Sequence, residues 1–160
     1  AAGGLVVAIA APLPRALAAV PAAAPAAPTA AGLTPYLAIA PDGAITLSSP
    51  TTEMGQGTHT AHALIVADEM GADPARVRVV TPQPSDPFRR GPAGGTRSMA
   101  SGGSWGVRAW YAPLRTAAAQ AREMLVAAGA ARLGVEASDL KARDGFVVHA
   151  ASGRRLGFGE

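Results

Sequence analysis

The sequence lacks cysteine, has a single lysine and contains few aromatic residues. Without cysteine, the chain can form no disulfide, thiolate metal site or iron–sulfur ligation of its own. Aromatic residues make up only 4% of the 160 residues, and no run of basic residues is longer than two. The formal charge of +3 therefore does not indicate nucleic-acid binding. An anionic small ligand or an acidic partner subunit accounts for the charge more economically.

A long hydrophobic run is also missing. The apolar run at residues 5–11 is far shorter than the roughly 20 residues that span a bilayer, and prolines interrupt the sequence that follows. A short apolar segment followed by alanine-rich sequence is typical of the back half of an export signal, and a disordered Ala/Pro linker is the alternative. We assign residues 1–33 to an export-signal remnant and linker, and residues 34–160 to one folded domain.

Residues 34–160 predict an α+β fold. Helical periodicity, strand alternation and the positions of glycine and proline define the elements. In order, they are a β-hairpin at 36–47, a helix at 58–70, a strand at 77–80, a long loop at 81–103, a long helix at 104–133 and a C-terminal strand at 146–149. Thr58 or Thr60 is the expected cap of the first helix, and Gly71 is its expected end.

The long helix carries a predicted apolar stripe and a line of arginines. Apolar residues recur at intervals of three and four at Val107, Tyr111, Leu114, Ala118, Ala121, Leu125 and Ala128. Arg108, Arg115 and Arg122 repeat every seven residues and share a line beside this stripe. The arginines form either a solvated flank, which is the favoured interpretation, or a positive surface for an anion or a partner chain.

Two glycine-rich segments precede the two predicted helices. The first glycine segment is Gly55, Gln56 and Gly57, and the second glycine segment is Gly102, Gly103 and Ser104. Each offers backbone N–H groups at the positive end of a helix dipole, which suits an anionic ligand. Gln56 adds an amide that both donates and accepts, and Ser104 is also an ordinary candidate N-cap. Plain turn chemistry remains the alternative at both places, because neither segment matches a known phosphate loop.

Other chemical groups are sparse. His59 and His62 lie three residues apart, but a metal site would need more ligands, and only His149 remains among the histidines. Capping or partner contacts account better for these two histidines. No nucleophile motif or acid–base pair is evident. The residues alone therefore predict a ligand-binding domain and do not identify an enzyme.

A family resemblance adds to this. Six features follow one another along the chain: EMGQGTHT at 53–60, an alanine-rich helix, VRV at 77–79, a Pro/Gly loop, GGS at 102–104 and LRTAAAQAREML at 114–125. This succession resembles the molybdopterin-binding subunit of the xanthine dehydrogenase and aldehyde oxidase family. Within that family it is most similar to the large (beta) subunits of the isoquinoline 1-oxidoreductase type and related exported aldehyde dehydrogenases. Those begin with a twin-arginine signal, whose tail resembles AAGGLVVAIAAP at the N-terminus here.

The resemblance implies a molybdenum hydroxylase that oxidises an aldehyde or an N-heterocycle with water-derived oxygen. It implies a molybdenum–molybdopterin cofactor, commonly the cytosine dinucleotide form, and [2Fe–2S] clusters on a separate small iron–sulfur subunit. A c-type cytochrome is the implied electron acceptor, and the implied location is outside the cytoplasm, either periplasmic or membrane-associated. The rival interpretation is a non-catalytic exported binding or docking module.

By position, the resemblance places cofactor-binding residues in both glycine segments: Gly55, Gln56, Gly57, Gly102, Gly103 and Ser104. It implies that Gln56 hydrogen-bonds the cofactor and that N–H groups of both segments meet its anionic parts. It assigns no catalytic residue and no protein metal ligand here, because the family's general base is a glutamate near the far end of a much longer chain. The 160 residues are thus expected to be an N-terminal part of the cofactor-binding domain.

Overall fold

The computed structural model describes residues 31–90 and 98–160, which contain two sheets and two helices. The first sheet has the order β1-β2-β3-β4. Its strands are β1 (Ala31–Gly32), β2 (Leu37–Ile39), β3 (Ile45–Ser48) and β4 (Val77–Val80). The first three strands are antiparallel, whereas β4 runs parallel to β3, since the intervening helix returns the chain to the same end of the sheet. The predicted hairpin is confirmed as β2 and β3, and the predicted strand at 77–80 is confirmed as β4.

The second sheet is formed by the C-terminal residues. It is antiparallel, with β5 (Leu140–Arg143), β6 (Phe146–His149) and β7 (Arg155–Gly157) in that order. The prediction of one C-terminal strand was therefore incomplete, because that strand is the middle one of three. Both edge strands are short and carry charged residues: β5 alternates apolar and charged residues over only four positions, and β7 has three residues, so neither is long enough to give a clear strand signal.

The two helices are α1 (Thr58–Met70) and α2 (Gly106–Leu133). Gly71 ends α1 in the left-handed conformation, as predicted. The predicted caps were wrong: the N-cap positions are Gly57 in α1 and Trp105 in α2. Ser104 cannot start the helix, because its φ of 56° places it in a left-handed turn just before α2.

The main core lies where α1 and α2 pack on each other and on the first sheet. The predicted stripe is correct at Leu114, Ala118 and Ala121, which are fully buried. It is wrong at Val107, Tyr111 and Ala128, which are exposed. Tyr111 is 48% exposed, whereas Trp110 beside it is only 3% exposed and packs edge-on against Tyr36. Adjacent residues are about 100° apart on a helix, so periodicity alone did not decide which of two neighbouring apolar positions faces the core.

Two of the three arginines in the predicted line on α2 bind α1. Arg122 donates from Nη1 to Glu69 Oε1 at 2.9 Å and to the Glu69 carbonyl at 2.7 Å, and Arg115 donates from Nε to Glu69 Oε2 at 2.8 Å. The hydrogen bond from Arg115 is the main reason that the pKa of Glu69 lies below its ordinary value. Arg108 instead stacks on the Trp105 ring at 4.7 Å. Two of the three arginines therefore fix the helix pair through Glu69, a role that the favoured prediction of a solvated flank did not include, while the Arg115 side chain is still 45% exposed.

The export-signal prediction falls almost entirely on residues 1–30, which lie outside the described residues. Strand β1 lies on the N-terminal side of the domain boundary predicted after residue 33. Across residues 31–90 and 98–160, neither helix is both long and apolar enough to cross a bilayer.

Candidate functional site

The two glycine segments meet at one cavity of about 420 Å³, here called the first cavity. The loop before α1 and the turn before α2 line it together, with Met54, Gln56, Thr58, Ser101, Gly102, Ser104, Trp105, Gly106 and Val107. The backbone N–H of Thr52 donates to Ser101 Oγ at 2.8 Å and joins the residues that precede the two segments. Three of the six predicted site residues, Gln56, Gly102 and Ser104, thus face the same space.

A second cavity of about 300 Å³ shares the turn before α2. Gly103 lines it, together with Arg90, Trp105 and Trp110. The Arg90 guanidinium lies 5.4 Å from the centre of the Trp110 ring, which places a positive charge beside the second glycine segment. A larger cavity of about 600 Å³ lies between the β2–β3 turn and the second sheet, and none of the six predicted residues lines it.

The N-terminus of α1 is capped by a glutamate that sequence reasoning missed. Glu53 Oε1 accepts the N–H groups of Gly55 at 2.8 Å and Gly57 at 3.0 Å, and Oε2 accepts the N–H of His59 at 2.9 Å. These three bonds hold the pKa of Glu53 below its ordinary value, and the bond from the His59 N–H has the largest effect. A carboxylate shortly before a glycine-rich helix start was the signal for this cap.

Glu53 therefore occupies the N–H donors that were expected to meet anionic parts of a ligand. Gly55 and Gly57 line neither of the cavities at the glycine segments. Both have positive φ, 93° and 76°, and the space where a Cβ would stand is open at both positions. In this conformation the first glycine segment contributes the shape of its backbone and the side chain of Gln56, and the N–H groups of Gly55 and Gly57 bind the internal carboxylate.

The Gln56 amide is held in place by its own loop. Oε1 accepts the N–H of Met54 at 2.6 Å, and Nε2 donates to the Thr52 carbonyl at 2.7 Å. A primary amide has two N–H donors and two acceptor lone pairs, so one donor and one lone pair remain. Gln56 can therefore hydrogen-bond a ligand in the first cavity without leaving this position.

The second glycine segment forms a tight turn with accessible donors. Trp105 N donates to the Gly102 carbonyl at 3.1 Å, and both central residues, Gly103 and Ser104, have a φ of 56°. Positive φ is uncommon for serine, and such backbone positions cluster at functional sites. Within the described part of the chain, the N–H groups of Gly103 and Ser104 donate to no protein group. A Cβ on Gly102 would meet only open space.

The two histidines of α1 bind the protein itself. His59 Nε2 lies 2.8 Å from the Thr51 carbonyl. His62 is fully buried and contacts Ser49 and Gly106. In the ranges that the structure describes, no group of three or more histidine, aspartate or glutamate side chains is arranged to hold a metal ion.

Comparison with known proteins identifies the family. The family described as "Molybdopterin cofactor-binding domain" matches residues 14–160. The chain belongs to this family. The α+β fold predicted from the sequence is therefore confirmed as part of a molybdopterin cofactor-binding domain.

Several known proteins resemble the chain over most of its length. It is 38% identical over 126 residues to the beta subunit of isoquinoline 1-oxidoreductase of Brevundimonas diminuta, covering 78% of this chain and 16% of that protein. It is 36% identical over 127 residues to the membrane-bound aldehyde dehydrogenase [pyrroloquinoline-quinone] of Gluconacetobacter polyoxogenes, covering 79% of this chain and 15% of that protein.

Two further comparisons agree. A subunit of nicotinate dehydrogenase of Pseudomonas putida is 32% identical over 125 residues, covering 78% of this chain and 10% of that protein. The crystal structure of quinoline 2-oxidoreductase from Pseudomonas putida 86 superposes with a TM-score of 0.58 at 23% identity, covering 77% of this chain and 15% of that chain, which establishes the shared fold. The chain thus spans about a sixth or less of the length of these relatives.

Proposed function

We propose that the chain is the molybdopterin-binding part of a molybdenum hydroxylase that oxidises an aldehyde or an N-heterocycle. One observation carries this proposal: in a member of the molybdopterin cofactor-binding domain family, two glycine segments far apart in sequence line one cavity. Relatives named for isoquinoline, nicotinate and aldehyde oxidation support the substrate class.

The residues at the first cavity fit an anionic cofactor. The N–H group of Ser104, which lines this cavity, and that of Gly103, which lines the second cavity, are free of protein partners within the described chain, and open space beside Gly102 allows close approach to the backbone. The guanidinium of Arg108, stacked on the Trp105 ring that lines this cavity, adds positive charge. We assign anion binding to the second glycine segment and a hydrogen bond to the remaining donor of Gln56.

The protein residues described here bind and orient, while the bound cofactor supplies the two-electron oxidation that adds water-derived oxygen to the substrate carbon. Glu53 fixes the first glycine segment, so that the Gln56 amide is already oriented before a ligand arrives. Such preorganisation lowers the entropy that binding must offset.

Electron transfer and location complete the proposal. We assign the [2Fe–2S] clusters to a separate small subunit, supported by two relatives that are named as single subunits, and the lack of cysteine in these 160 residues agrees with this division. A c-type cytochrome is the proposed final acceptor, and the cytosine dinucleotide is the proposed cofactor form. The proposed location is outside the cytoplasm, supported by the signal-like residues 1–33 and by a relative named as membrane-bound.

One observation favours the rival function, a non-catalytic binding or docking module. The Glu53 cap makes the first glycine segment self-sufficient as a helix start. The name of the aldehyde dehydrogenase relative also raises pyrroloquinoline quinone as an alternative cofactor. Cofactor analysis of the purified protein separates these possibilities.

The test uses the full-length protein from its natural host. Molybdenum by mass spectrometry, together with CMP released on hydrolysis, is expected in amounts stoichiometric with protein. Gln56→Ala is expected to lower molybdenum content or turnover, whereas Gln120→Ala, an exposed glutamine on α2, serves as the matched control. Protein that contains pyrroloquinoline quinone, or no cofactor, would refute the proposal.

A further inference from the structure

The buried polar side chains of the described chain form one cluster. They are Ser49, Thr51, Thr58 and His62, with at most 4% exposure each. Two of them, Thr51 and Thr58, also line the cavities at the second glycine segment. Burial of polar groups costs free energy unless they are hydrogen-bonded, and no buried side-chain nitrogen or oxygen atom among the described residues lacks a partner. The hydrogen bonds of this cluster are therefore part of what holds the surroundings of these cavities together.

His62 is at the centre of this cluster. Its Nε2 lies 3.1 Å from the Gly106 carbonyl, and its Nδ1 lies 3.0 Å from Ser49 Oγ. A carbonyl can only accept, so Nε2 carries the proton, and in the neutral ring Nδ1 accepts from the Ser49 hydroxyl. Burial lowers the pKa of His62, which favours this neutral form.

These two bonds join three separate pieces of backbone. Ser49 follows β3, His62 lies in α1, and Gly106 is the first residue of α2 and lines both cavities. The fit at Gly106 is tight, because a Cβ there would stand 3.0 Å from Thr58 Cγ2. The start of α2 is thus held against the first turn of α1. The second glycine segment lies just before the start of α2, and the first glycine segment lies just before α1.

We propose that His62 is a positioning residue for cofactor binding, acting through its Nε2 bond to the Gly106 carbonyl. This proposal rests on the proposed function. The bond sets the separation between the Gly102–Trp105 turn and the Gln56 amide, so that both reach one ligand in the first cavity. The Nδ1 bond to Ser49 orients the ring, and its loss alone leaves the two glycine segments in place.

Two substitutions in the full-length enzyme separate the two bonds. His62→Gln places an amide nitrogen near the position of Nε2 and keeps a donor to Gly106, whereas His62→Asn reaches only the position of Nδ1 and keeps the Ser49 partner. We expect His62→Gln to retain the molybdenum and CMP content of the wild type. His62→Asn is expected to bind the cofactor about three- to tenfold more weakly, the effect of one lost hydrogen bond.

Hydrogen exchange gives a readout that does not depend on the cofactor. In apo protein, peptides covering residues 102–112 are expected to exchange faster in His62→Asn than in His62→Gln, while peptides from the second sheet stay unchanged. Equal cofactor content and equal exchange in the two variants would overturn the proposal. So would loss of cofactor from His62→Gln at wild-type thermal stability.

The remaining outcomes are also decisive. If His62→Gln does not fold, Ser49→Ala replaces it, since this change keeps the Nε2 bond to Gly106 while it removes the Nδ1 partner and the longer contacts of Ser49 Oγ with Thr51. Retained molybdenum then supports the proposal, and lost molybdenum refutes it. If wild-type protein contains no molybdenum, the proposed function fails, while exchange at residues 102–112 still reports whether His62 holds the start of α2.

Discussion

The end of α1 offers a sharp test of the packing described here, through the substitution Gly71→Ala. Gly71 has φ 65° and ψ 41°, and a Cβ at this position would stand 2.6 Å from the Ala142 carbonyl oxygen in β5. Its own carbonyl accepts the N–H of Gly145 at 3.0 Å, so the backbone cannot move away freely. Gly134 ends α2 with nearly the same φ and ψ, 64° and 43°, but a Cβ there would meet nothing within 4 Å. Gly134→Ala is therefore a matched control.

The magnitudes follow from two separate costs. Left-handed backbone costs a non-glycine residue about 1–2 kcal/mol, and the loss of freedom in the unfolded chain returns about 0.4–1 kcal/mol. Both variants should therefore lose about 1 kcal/mol from strain. Only Gly71→Ala adds a clash with backbone atoms of β5, which overpacking data place at about 1–3 kcal/mol. We expect a total loss of about 2–4 kcal/mol for Gly71→Ala and about 1 kcal/mol for Gly134→Ala.

Native-state hydrogen exchange on the full-length protein measures the effect of Gly71→Ala in peptides from the C-terminal half of α1 and from β5, and the loss in Gly134→Ala in peptides from the end of α2. The opening free energy of the α1 and β5 peptides should fall in Gly71→Ala and should change little in Gly134→Ala. Equal effects of the two substitutions would refute the close contact between α1 and the second sheet.

Three further predictions concern the core and the site. Leu114→Ala, at a fully buried position, should cost about 2–5 kcal/mol in unfolding free energy, whereas Val107→Ala, at the exposed end of the predicted stripe, should change it by less than about 0.5 kcal/mol. Glu53→Gln should speed amide exchange in the loop before α1 and leave the second sheet unchanged; unchanged exchange in that loop would show that the carboxylate is not its cap. The pKa of His62 is lowered by burial, so below about pH 6.5 the folded state binds fewer protons than the unfolded state. The free energy of unfolding should therefore decrease as the pH falls from about 6.5 through the pKa of His62 in the folded state. That dependence should flatten in His62→Gln, as followed by thermal unfolding between pH 5 and 8.

Much of the secondary structure was predictable because its signals are local. Gly71 ended α1 where its missing Cβ allows positive φ, and alternating apolar residues marked β4. Edge strands β5 and β7 were missed, since short charged strands are defined by the partner with which they pair. The caps were missed for a similar reason: Glu53 reaches donors up to six residues away, beyond the usual cap spacing.

The candidate site was also predictable only in part from the sequence. The residues of the two glycine segments carried the family resemblance, and the match to the molybdopterin cofactor-binding domain family confirmed it. The sequence did not show that the N–H groups of Gly55 and Gly57 are used by Glu53, or that Gly103 and Ser104 keep theirs available. Those differences depend on which acceptor lies nearest in space.

By itself the sequence determined the helices, most strands of the first sheet, the absence of thiolate chemistry on this chain and the family to which it belongs. Only the tertiary structure decided which face of α2 is buried, that Glu69 joins the two helices, and that His62 sits between the two glycine segments. The physical reason is the distance along the chain over which each effect acts. Backbone propensity and periodicity act over a few residues, whereas burial and hydrogen-bond partners depend on residues that only folding brings together.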